Sequence, residues 1–327
     1  MAMGAQNRTG DLLDLEALGR DAVATHWERV RPRRELLEPL RRRVLGPLFA
    51  RLGYDLVPAV PEWLHRPLSR REIERLLDAA AERLAADFAQ AGLAPVEDLG
   101  LIARDFWSLL PTCPIRQRQG GNGFNGALQL YAVVRTLRPA TIVESGVFRG
   151  FTTWVMRQAH PGADIRCFDP VPAQRRWRDP RARYSAADWS TADLSGIDPH
   201  DALAFFDDHI DQARRIVEAA ERGFCRLLFD DDAAAHAIHA HGGPAFPTVA
   251  MILAGAGEDA PVRWLRNGRE FSYRADAGAR AARDLIARAH PFDDLHGATG
   301  YSPARLCWVA LRDRKADRPA APHGDRA

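Results

Sequence analysis

The chain has 327 residues, 46% of them hydrophobic and 27% charged, with a net charge of +2 and a single lysine, Lys315. That length fits one large domain or two ordinary ones, and so small a charge gives no field for nucleic acid or acidic partners. A lone lysine near the C-terminal end also excludes lysine Schiff-base chemistry from the body of the chain.

The opening "MAMGAQNRTG" is polar and lacks the apolar run of a signal peptide. No stretch approaches the roughly 20 apolar residues of a membrane span. The cysteines, Cys113, Cys167, Cys225 and Cys307, are far apart with no paired spacing. They make no disulfide framework, and the expected setting is the reducing cytoplasm.

Residues 1–110 read as an N-terminal helical region. "LLEPLRRRVLGPLFARLGYDLVP" and "SRREIERLLDAAAERLAADFAQAG" repeat apolar residues at three- and four-residue steps. Pro39 and Pro47 interrupt the first and predict two short helices. Ser69 and Glu72 predict a capping box for the second. Arg41, Arg42 and Arg43 lie opposite Leu36, Leu40, Val44 and Leu48. Such a face suits packing on the rest of the chain or on a second copy in a homodimer. The weaker alternative is contact with a membrane surface.

"RQRQGGNGFNGALQL" then leads into residues 111–313, where short apolar runs alternate with helical ones. The runs are "TIVES", "DIRCFD", "RARYSAAD", "ALAFFDD", "CRLLFDD" and the late "RLCWVALR", with "TTWVMRQA" and "DQARRIVEAAERG" as helices between them. The alternation predicts an α/β fold, Rossmann-like and doubly wound, with a mostly parallel sheet. The tail, 314–327, is charged and proline-containing and is expected to be disordered.

"IVESGVFRGFTTW" has the pattern of a strand turning into a helix around a ligand. Gly146 and Gly150 let backbone come close where a Cβ would collide. Thr152 or Thr153 can cap the helix that follows. The dinucleotide fingerprint G-x-G-x-x-G fails, because Phe148 and Phe151 stand at two of its three glycine positions. A P-loop is excluded for want of G-K-[ST]. The remaining pattern puts an acid, Glu144, at the strand end, a poor neighbour for phosphate and a good one for a cation. Asp169 and Asp188 end the next two strands, where acids can accept from a ribose and an adenine amino group.

In these residues the chain resembles the class I S-adenosylmethionine-dependent methyltransferases, nearest to the small-molecule O-methyltransferases of catechol and macrocin type. Glu144, Gly146, Phe148, Gly150, Phe151 and Thr152 match their first motif, with Phe148 where the commoner form has a middle glycine. The resemblance covers roughly residues 120–312. It implies S-adenosylmethionine as cofactor, bound by Glu144, Gly146, Gly150, Thr152, Asp169 and Asp188.

Two later strands end in acids, "FFDDH" (Phe205–His209) and "LLFDDD" (Leu228–Asp232). Carboxylates meeting on one rim repel unless a cation sits between them, and Mg²⁺ suits an oxygen-rich set. By resemblance to the metal-dependent members, Asp208, Asp230 and Asp231 would be the ligands, with Asp207 and Asp232 as one-residue alternatives. Where those relatives carry a lysine base this chain has Asp211, so His209 becomes the candidate base. A solvated helix N-terminus is the alternative for Asp207–Asp211. "HAIHAH" (His236–His241) offers a zinc-like pattern or an ordinary surface helix, and the glycines of Gln119–Gly126 offer lid hinges or a linker.

The expected activity is therefore methyl transfer to a hydroxyl of a small molecule, a sugar or secondary metabolite, with Mg²⁺ assisting. A metal-dependent hydroxylase on the same scaffold and a non-catalytic binding protein stand as alternatives.

Overall fold

The computed structural model describes residues 36–37, 39–52, 69–115, 122–235, 246–266, 269–301 and 304–312. The histidine-rich stretch His236–His241 and the 314–327 tail lie outside them.

The first described helix does not break in two. Arg41–Leu45 widens into a π-turn and Gly46–Arg51 (α1) resumes α geometry. Pro47 has no N–H to give to the ladder, and the widened turn lies just before it. Leu36, Leu40, Val44, Leu48 and Leu52 stand exposed along this segment. Next comes α2 (Arg70–Ala91), opened by the reciprocal capping box of Ser69 and Glu72 and closed by Gly92 in the left-handed region. Asp98 caps α3 (Leu99–Leu109), and α4 (Phe124–Leu137) leads into the sheet.

Strands β1 (Thr141–Ser145), β2 (Asp164–Phe168), β3 (Arg183–Ser185), β4 (Ala202–Phe206) and β5 (Arg226–Phe229) are parallel. Strand β9 (Cys307–Leu311) runs antiparallel to both β5 and β8 (Ile286–Pro291), so β8 has the direction of the first five, and the order is β3-β2-β1-β4-β5-β9-β8. A separate hairpin, β6 (Val262–Arg266) and β7 (Arg269–Tyr273), stands outside it.

Period-two alternation sends successive side chains to opposite faces. Ile142, Ile165, Cys167, Leu203, Phe205, Leu228 and Trp308 join α2, α3, α4 and α5 (Phe151–Ala159) in one core. Val143, Ala204, Phe206, Leu227, Phe229 and Val309 join α6 (Gln212–Glu221), α7 (Val249–Leu253) and α8 (Ala277–Leu285) in the other. Strand order reverses between β1 and β4, and at such a switch point a crevice opens beyond the strand ends. No helix among the described residues is long and apolar enough to cross a membrane.

Candidate functional site

The glycine turn links β1 to α5. Gly146 and Gly150 have φ of 89° and 90°, and Phe148 is also left-handed at 48°. A Cβ on Gly146 would stand 2.2 Å from the Asp207 carbonyl oxygen, and one on Gly150 would stand 2.6 Å from that of Trp177. The glycines are thus needed first for the chain's own close approaches: one to the loop after β4, the other to the loop after β2.

Asp169 secures the turn from the end of β2. Its Oδ2 accepts from the amides of Phe148 (2.9 Å) and Val147 (3.3 Å), and its Oδ1 from Val171 (2.8 Å). A carboxylate offers about four acceptor positions, so one remains for a ligand hydroxyl.

Glu144 is fully buried and turned toward α5. Its carboxylate accepts from the hydroxyls of Thr152 and Thr153 and from the Cys167 thiol, 3.2 Å away. Burial lifts its pKa to about 7 against those donors. The two threonines were expected to cap α5; instead Gly150 is the N-cap, no side chain caps the helix, and both hydroxyls fasten it to β1.

Asp188 is held by an arginine that sequence reasoning did not single out. The Arg215 side chain, 1% exposed, bonds Asp188 through two nitrogens at 2.7 and 3.0 Å. It also reaches Asp208 at 2.8 Å and Glu218 at 2.7 Å. Hydrogen bonding to Arg215 holds the Asp188 carboxyl below the usual range. A buried guanidinium so surrounded is common in structural networks. Its sequence signal was faint: one more arginine in "DQARRIVEAAERG".

The acid clusters after β4 and β5 do meet on one rim, and each divides its labour. Asp207 continues the parity of Phe205 and lies near Glu144, Asp230 and Asp231, which with burial raise its pKa. Asp208 takes the opposite parity and meets α6: its Oδ2 accepts from Ser145 (2.6 Å) and Arg215, its Oδ1 from the Ile210 amide (3.1 Å). Asp211 caps α6 through the amides of Ala213 and Arg214.

Asp230 accepts from the Asn122 side chain (2.9 Å) and from the amide of Asp231 (2.8 Å). Its pKa is pushed up to about 7 by burial and by Asp231. Asp232 accepts from the Ala250 amide and serves the start of α7. His209 Nδ1 stands 3.2 Å from Asp231 Oδ2, and that contact raises its pKa.

The donor atoms of Asp207, His209 and Asp231 all lie within 4.8 Å of one another, a set able to hold one cation. The acids fit such an ion, since their mutual repulsion is what a positive charge would relieve. Of the three ligands expected, Asp231 is in this set; Asp208 and Asp230 flank it. A small cleft lined by Phe206, Asp207, His209, Asp230 and Asp231 opens here. Asn122, from the glycine-rich lead-in, is a further site residue not singled out earlier. The first residues of that lead-in, 116–121, lie outside the described residues, and its last ones belong to α4.

No family model matches this chain, and no curated protein does. Solved structures do. The chain is similar to the SAH-bound methyltransferase PaMTH1 of Podospora anserina, with 12% identity over 79% of this chain and 100% of that one and a TM-score of 0.37. It is similar to TomG of Streptomyces achromogenes, an O-methyltransferase of tomaymycin synthesis solved with SAM (19%, 70% and 98%, TM-score 0.35). A third is the O-methyltransferase of Bacillus cereus in complex with SAH (14%, 71% and 99%, TM-score 0.35). The strand order, the reversed β9 and the turn after β1 give the chain a Rossmann-like, mostly parallel α/β fold.

Proposed function

We propose that this protein transfers the methyl group of S-adenosylmethionine to a hydroxyl oxygen of a small molecule, a sugar or secondary metabolite, beside a divalent cation held at the rim. The observation that supports this is the junction of turn and acid cluster. Gly146 and Asp207 touch backbone to backbone, so a ligand seated on the turn has Asp207, His209 and Asp231 as neighbours.

S-adenosylmethionine supplies an electrophilic methyl on a positively charged sulfur, and a rim of carboxylates favours that charge over a phosphate. Gly146 and Gly150 keep side chains off the turn. Asp169 fixes the turn amides and keeps one acceptor position for a ribose hydroxyl. Holding the acceptor oxygen in line with the methyl supplies much of the rate, since such transfer needs little covalent help. A divalent ion, when bound, lowers the pKa of a coordinated hydroxyl. Asp207, His209 and Asp231 are the residues that would hold it.

Calorimetric titration with S-adenosylmethionine, S-adenosylhomocysteine and NAD, with and without a divalent ion, tests the reading. Binding of both adenosyl compounds and not NAD is expected. Failure of both to bind would remove the proposal.

A further inference from the structure

We infer that His209 is itself a ligand, with Asp207 and Asp231, of one divalent ion of the borderline class (manganese, iron, cobalt, nickel or zinc) in preference to magnesium. The inference rests on the methyl-transfer reading only in setting that ion beside the substrate.

Three observations carry it. The compactness of the set is one. The three donor atoms lie within 4.8 Å of one another, a few tenths of an ångström from the roughly 4–4.6 Å that separates opposite ligands of one ion with bonds of about 2.0–2.3 Å, so a small side-chain shift brings them onto one ion.

The second is the state of Asp207. No donor among the described residues bonds its carboxylate, although Asp208, Asp230 and Asp231 lie close enough to act on its charge. Asp208 and Asp230, by contrast, are both hydrogen-bonded. An acid left without a donor beside other acids is set for a cation.

The third is the backbone. His209 and Asp231 are left-handed, at φ 55° and 57°, a conformation costing a non-glycine residue on the order of 1 kcal/mol or more. Each follows an aspartate that clamps its loop. Asp208 binds Ser145, Arg215 and the Ile210 amide; Asp230 binds Asn122 and the Asp231 amide. At both strand ends, then, one acid fixes the chain and the next residue is turned, against its preference, into the cluster.

The donor chemistry selects the metal. Magnesium binds oxygen and keeps its waters, whereas an imidazole nitrogen suits the borderline ions. The rival role for the same pair is a metal-free base, His209 oriented by Asp231.

The test uses the full-length protein stripped with a chelator and titrated with Mn²⁺ alone, followed by electron paramagnetic resonance. One Mn²⁺ per chain is expected, with nitrogen modulation from a single imidazole in the pulsed experiment. His209→Gln should abolish that modulation and weaken Mn²⁺ roughly tenfold or more, and Mg²⁺ should displace Mn²⁺ only at about a hundredfold excess. His209 is exposed, so the variant should fold, and Asp207→Asn provides a second one that should also weaken Mn²⁺.

Bound Mn²⁺ without nitrogen modulation overturns the inference, as does modulation that survives in His209→Gln or the absence of binding. Titrating the same stripped protein with S-adenosylmethionine separates the two readings. Cofactor affinity with nitrogen-free Mn²⁺ sinks the ligand assignment alone; nitrogen-coupled Mn²⁺ without cofactor affinity sinks methyl transfer alone.

Discussion

At Glu144, burial and hydrogen bonding pull in opposite directions. Desolvation disfavours the carboxylate, the Thr152 and Thr153 hydroxyls support it, and the balance leaves the pKa at about 7 against 4.5 for the free group. The sign of the linkage follows. An acid whose folded pKa is raised holds its proton longer in the folded state, so stability is greatest below pH 4.5 and falls as pH rises toward about 7. Above that the loss is constant. Glu144→Gln should remove a fall of roughly 3 kcal/mol across this window. Urea midpoints of wild type and variant between pH 4.5 and 8 read the difference directly; parallel curves would contradict the assignment. The sequence showed the acid and both threonines but not that they meet. A carboxylate at a strand end reads as ligand-facing until the parity of β1, with Ile142 in the α5-side core, is known to carry Glu144 toward α5.

At the scale of elements, the helix α6 is tied to the rim by Arg215 and by Gln212, whose side chain donates to the Asp230 carbonyl at 2.9 Å. Arg215 bonds Asp208 from the loop after β4, Asp188 from the loop after β3, and Glu218 of its own helix. Removing the cation leaves three acids facing one another, and breaking a buried pair typically costs about 3–5 kcal/mol. Arg215→Met should therefore lose roughly 3 kcal/mol in urea unfolding at neutral pH. The pH dependence has the opposite sense to that of Glu144. Hydrogen bonding to Arg215 depresses the Asp188 pKa, so its contribution is present above the ordinary value of 3.8 and fades as pH falls through the folded one. The variant should lose less than wild type on acidification, and an equal loss would show that the pair carries no linkage. Most elements were legible in advance, because the β-branched runs and the α6 amphipathic pattern have clear periods. The hairpin β6–β7 and the strand β8 were not. "VRWLR" and "REFSY" each carry two charged residues in five, and "IARAHP" follows α8 with no turn residue between them. Their strand state is set by partners, β7 for β6 and β9 for β8, which no local pattern announces.

Across the whole molecule, the helices before the sheet are not separable from it in their packing. Leu76, Leu84 and Phe88 of α2 share a core with Ile142 of β1 and Trp308 of β9. Polar ties join the same parts: His290 bonds Asp87 at 2.9 Å, Arg83 bonds Asp293 at 3.0 Å, and Arg135 pairs with Glu97 at 2.9 Å. The sequence divided the chain near residue 110 because the period of the pattern changes there, yet a change of period marks a change of element and need not mark a change of core. If one core spans both parts, a cavity in α2 must weaken the sheet as much as the helix. Leu84 is fully buried, and Leu84→Ala should cost about 2–5 kcal/mol. Native-state hydrogen exchange gives the sharper reading, since it resolves opening segment by segment. In a single cooperative unit, the best-protected amides of β1, β9 and α2 all lose protection by the same free energy. In a chain of two units, α2 and α3 lose protection while β1 and β9 keep theirs, because the sheet stays closed when the helices open. The second pattern would restore the boundary near residue 110. The first would make the N-terminal helices part of the scaffold that holds the rim acids in position.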